Sequence, residues 1–227
     1  MARLLAILVL VVLSISLACG GDDDSDGSSS DEDPAFHVED DLARSLLLTL
    51  DDFPSGWSEM PADDEEEGSF DHCDEGPGEG RTGVAETGDF SRGDNATLSH
   101  QVGVFETPED ALSALDRAER ISDCVVEVVN GGGLDDRDAE YSDASFGPLS
   151  FPSFADGTEA YRLQFRARAR GESGLGSEGT LYFDFVYVAE GRLAFALQAF
   201  DLFSPFDTAM LESLASSAHD RLAGADR

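Results

Sequence analysis

Lysine is absent from this chain of 227 residues, so all 14 basic residues are arginine, set against 48 Asp and Glu. The resulting net charge of −34 speaks against a nucleic-acid partner, whose phosphates require cationic surface. It speaks equally against electrostatic docking on anionic lipid. Cysteine is scarce, at three, and the four histidines (His37, His72, His100, His219) are scattered. His72 adjoins Cys73, yet no second pair stands at metal-ligand spacing. No Gly-x-Ser-x-Gly elbow and no phosphate-cradling glycine loop occurs. The acids are too numerous to single out an acid–base couple, so the sequence points to a non-enzymatic protein without a cofactor.

Long apolar runs are missing beyond the N-terminus. Leu181–Val188, the most apolar of them, has eight residues and includes Asp184, whereas a membrane-spanning helix takes about 20. The N-terminus itself has the three parts of a secretory signal. Arg3 precedes the apolar stretch Leu4–Leu13, and small residues lead to Cys19. Cys19, directly after Leu17-Ala18, resembles the cysteine of a bacterial lipobox, although Ser16 stands where leucine is typical. That resemblance implies diacylation of Cys19 and removal of residues 1–18. The protein is then extracytoplasmic and held to the cell membrane by lipid, its acidic body standing away from the headgroups.

With Cys19 lipidated, Cys73 and Cys124 remain, an even number in an oxidising compartment, and they are expected to form a disulfide. The acids spread along the whole chain, which favours a general solvating role, as in adaptation to high salt, over a cation-binding surface.

Residues 19–37 read as an acidic, flexible spacer, and 38–227 as one globular domain. Leu42, Leu46 and Leu50 recur at helical spacing and predict a helix over 39–50, ended by Pro54. Residues 84–90 and 96–105 alternate as two strands. Thr107-Pro108-Glu109-Asp110 is a helix start, and Ala111, Leu115, Val125 and Val129 form the inner face of the helix that follows, up to Asn130. Strands are predicted over 158–170, 180–189 and 192–200, with a weaker one at 139–146. Ser204-Pro205 introduces a last helix with Met210, Leu211, Leu214, Ala215, Ala218 and Leu222 inward. This order gives an α+β fold, an antiparallel β-sheet flanked by helices.

Leu48-Thr49-Leu50-Asp51-Asp52-Phe53-Pro54-Ser55-Gly56-Trp57 and Phe105–Ala111 leading to Cys124 carry a wider resemblance, completed by Glu190-Gly191-Arg192 and the terminal helix. Over these features the chain resembles the actinobacterial extracytoplasmic domains of small lipoproteins and receptor serine/threonine kinases. The resemblance implies a PsbP-like sandwich and a sensor-like role, and transfers no catalytic residue. The chain departs from the kinase form in having no kinase domain and one possible disulfide within the domain.

Three features are candidates for chemistry. Arg162, Arg166, Arg168 and Arg170 alternate along one strand, so they share a face and could meet an anion; the alternative is cross-strand pairing with acids such as Asp184. Trp57 after Gly56 could line a ligand cleft or simply pack. Asp22, Asp24, Asp26 and Asp33 have the spacing of an EF-hand calcium loop, but Ser29 holds its apolar position and no helix precedes it. Arg92-Gly93-Asp94 is turn chemistry. The expected function is therefore a lipid-anchored binding or sensor-like domain for a small molecule or an envelope protein. The alternatives are an assembly partner in the envelope, or an envelope enzyme with an unrecognised site.

Overall fold

The computed structural model describes residues 34–60, 73, 80–93, 95–133, 139–169, 178–202 and 204–225. Their centre is an antiparallel sheet of eight strands: β1 (Ser58–Glu59), β2 (Arg81–Glu86), β3 (Phe90–Arg92), β4 (Ala96–Phe105), β5 (Ala139–Pro148), β6 (Gly157–Ala169), β7 (Glu178–Glu190) and β8 (Leu193–Leu202). Three helices flank it: α1 (Pro34–Ser45), α2 (Pro108–Asn130) and α3 (Thr208–Ala225). The strand order is β1-β3-β4-β8-β7-β6-β5, with β2 also paired to β4. The expected α+β fold, a single domain with an antiparallel sheet and flanking helices, is what the chain forms.

The two faces of the sheet bury different side chains, because period two sends alternate residues to opposite sides. Leu98, Val102 and Val104 of β4 join Leu193, Phe195 and Leu197 of β8 and Val186 and Val188 of β7 on one face. Leu211, Leu214, Ala215, Ala218 and Leu222 of α3 close over them, with Ala43 of α1 in the same core. On the opposite face Phe165, Phe183, Phe185 and Phe200 pack under Ile121, Val125 and Val129 of α2. The Phe165 and Phe183 rings stack at 5.5 Å. β7 lies between β6 and β8, the central position its apolar run predicts.

Thr107 caps α2 by accepting the Asp110 N–H, and Pro108 begins the helix, as the sequence predicts. At its other end, the Asn130 side chain accepts the Ala144 N–H at 2.8 Å and donates to the Ala144 carbonyl at 3.1 Å. These bonds occupy the point where β5 bulges, between Ser142 and Ser145, and satisfy backbone groups on an edge strand.

Three expected elements differ from the structure. The first helix begins at Pro34 rather than Glu39 and ends at Ser45 rather than Leu50: Leu46 and Leu48 turn into the core, and a short 3-10 turn follows at Leu50–Asp52. The single strand expected over 84–90 is split into β2 and β3. Thr87 causes the break, since its N–H bonds the His100 carbonyl while its hydroxyl accepts the His100 N–H. α3 also starts later than Ser204, at Thr208, where Asp207 accepts the Ala209 and Met210 N–H groups.

Candidate functional site

Strand β6 places the arginine stripe on the sheet face that α1 and α3 cover elsewhere. Arg162 faces Asp184 directly across the β6–β7 ladder, and their bonds are bidentate, Nε to Oδ1 at 2.6 Å and Nη2 to Oδ2 at 2.7 Å. Asp184 is 1% exposed. Its carboxylate raises the Arg162 pKa chiefly through the hydrogen bond, against the opposing effect of burial. Such a fork-to-carboxylate pair leaves Arg162 little capacity for a ligand.

Further along β6 the same face opens to solvent. Arg166 meets Asp143 at 3.1 Å and Glu178 at 4.0 Å; Arg168 meets Glu178 at 4.0 Å. Both arginines are more than half exposed, as is Asp143, and Glu178 is nearly so. Among the described members of the stripe, they are the ones able to exchange an internal carboxylate for an external one at small cost. Arg170 lies outside the described residues.

Asp201 of β8 stands opposite Tyr182 of β7 and adds an acid to this face. Burial pushes its carboxyl up, partly offset by a hydrogen bond from Ser204 and by the charge of Arg92. The Arg92 guanidinium lies 5.4 Å from the centre of the Trp57 ring. Trp57 is buried between Phe53 and Phe206, at centroid distances of 5.2 and 6.1 Å. It is thus packed into the core with a cation over it.

Cys73 and Cys124 form a disulfide, with Cα atoms 5.7 Å apart, which joins the segment before β2 to α2. Cys19 and the acidic spacing at Asp22, Asp24, Asp26 and Asp33 lie outside the described residues. Among the described residues no group of three His, Cys, Asp or Glu is placed to hold a metal ion, and no helix is long and apolar enough to cross a membrane.

Sequence reasoning missed a second polar cluster. His100 of β4 is fully buried on the apolar face, and its Nδ1 accepts the Leu48 N–H at 3.0 Å. Beside it Arg221 of α3 donates to both carboxylate oxygens of Asp52, at 2.8 and 2.7 Å, and to the Leu47 carbonyl. Asp52 also accepts the Thr49 N–H. The segment Leu48–Trp57 is thereby pinned to β4 and α3. Two signals were in the sequence: His100 shares strand parity with Leu98 and Val102, and Arg221 falls on the helical stripe of Leu214 and Ala218.

No family model and no curated protein matches this chain. Among solved structures, the extracellular domain of PknH from Mycobacterium tuberculosis is similar over 82% of this chain and 96% of its own length, at 12% identity and a TM-score of 0.45. A likeness of that size transfers no residue roles to this chain.

Proposed function

We propose that the chain is an exported, non-enzymatic binding or sensor-like domain, tethered to the outer face of the cell membrane by lipid on Cys19. The leader ending at Ala18, directly before Cys19, supports export, and the Cys73–Cys124 bridge agrees with an oxidising compartment. The observation that carries a binding role is the open end of the stripe. Arg166 and Arg168 stand exposed on a sheet face, loosely held by Asp143 and Glu178, in a protein where cations are scarce. A ligand bearing carboxylate or phosphate groups would displace those contacts, gaining charge-assisted hydrogen bonds that are stronger than neutral ones. Arg162 would keep the site in place through Asp184.

Calorimetric titration of the lipid-free domain with envelope glycan, peptide and small-anion fractions tests this reading. Binding that is lost in the Arg166→Ala, Arg168→Ala double variant supports it. Binding that the double variant retains in full contradicts it.

A further inference from the structure

The cluster around His100 has a geometry that responds to acid. The imidazole accepts from Leu48 through Nδ1, so its proton is on Nε2, which is buried without a hydrogen-bond partner among the described residues. A second proton would have to enter at Nδ1, where the Leu48 N–H already points. Two donors would then face each other, and Leu48 would lose its acceptor.

The surroundings offer a proton little compensation. Arg221 approaches from α3 and repels it. Asp52 approaches from the 3-10 turn and attracts it, but both of its oxygens are already committed to Arg221. The ring of Phe195 meets the imidazole edge-on from β8, 5.5 Å between centroids. Thr87, from the segment between β2 and β3, is taken up by the His100 backbone.

We propose that the segment 46–57 is an acid-released latch, in which protonation of His100 ejects the Leu48 N–H and frees the turn that carries Trp57. Burial, and after it Arg221, lower the His100 pKa from 6.5 to about 3. A folded-state pKa below the unfolded one favours the closed form above pH 6.5, and that advantage is lost as the pH falls. Opening restores the ordinary pKa, so the open state becomes about 25-fold more populated between pH 7 and pH 5. The rest of the molecule has the opposite tendency over that range. Protonating carboxylates relieves the repulsion within a chain of net charge −34. The release is therefore local, and it alters the burial of Trp57, the one tryptophan in the protein.

Amide hydrogen exchange on the full-length protein at pH 7 and pH 5, corrected for intrinsic rates, is the test. The wild type should lose about 25-fold protection at Leu48, with Trp57 emission shifting in parallel. His100→Asn, which offers an acceptor but takes no proton, should show no such loss. Constant protection in the wild type, or an equal loss in His100→Asn, overturns the proposal. Should His100→Asn fail to fold, the wild-type imidazole is followed by NMR. Titration only as Leu48 becomes exposed supports the latch, and a pKa near 6.5 with Leu48 still protected overturns it.

Discussion

The half of the molecule under α2 and the turn between α1 and β1 are fastened by opposite means. Under α2 phenylalanines stack on adjacent strands and the Cys73–Cys124 bridge adds a covalent tie, while on the other face of the same strands Arg162 meets Asp184 across one ladder. The turn 46–57 depends instead on side chains remote in sequence, His100 from β4 and Arg221 from α3, acting on Leu47, Leu48 and Asp52. The first arrangement should survive the loss of any one polar contact because its aromatic core remains. The second adds to the buried side chains of Leu46, Leu48, Phe53 and Trp57 a few polar contacts that respond to charge, and through those contacts pH acts on the turn.

Removing the staple should have the largest effect. With a sequence separation of 51 between the cysteines, the Cys73→Ser, Cys124→Ser variant should be about 4 kcal/mol less stable in urea unfolding on the chain-entropy model. Exchange protection at Leu48 should fall no further than that global loss dictates. Asp184→Ala should cost about 3 kcal/mol, because it leaves Arg162 largely buried without its counter-charge. Replacing both partners by apolar residues, Arg162→Met with Asp184→Leu, should recover most of that loss, again read by urea unfolding. Asp52→Ala should cost about 1.5 kcal/mol, by removing the Arg221 pair and the bond from the Thr49 N–H. Its signature should be faster exchange in 47–53 with the β6–β7 amides unchanged. Arg166→Ala and Arg168→Ala should each change thermal stability by less than about 0.5 kcal/mol, since their ion pairs are exposed to solvent.

How far the sequence could be read follows the same division. Strand parity alone put Arg162, Arg166 and Arg168 on one face and offered Asp184 as a partner, and the register places Arg162 opposite that residue. The capped start of α2 was legible in Thr107-Pro108, because capping is decided within a few residues. The helix expected over 39–50 fails at Ser45, since the periodicity of Leu42, Leu46 and Leu50 cannot register that Leu48 is claimed by His100. Likewise Thr87 gives no local warning that it will divide a strand. The candidate site was half visible: the stripe was found, while the strength of the Arg162 pairing and the looseness of Arg166 and Arg168 depend on burial. The polar pin of the turn was not seen, because it joins residues far apart in the chain through packing that no window of sequence contains.

Export and tethering are the basis of the functional reading, and intact mass of the protein taken from its native membrane tests them most directly. The sample is alkylated with and without prior reduction. The account predicts a chain that begins at Cys19 with a diacylglycerol-sized increment, in which Cys73 and Cys124 are alkylated only after reduction. An unmodified chain beginning at Met1, with both thiols alkylated without reductant, would contradict it.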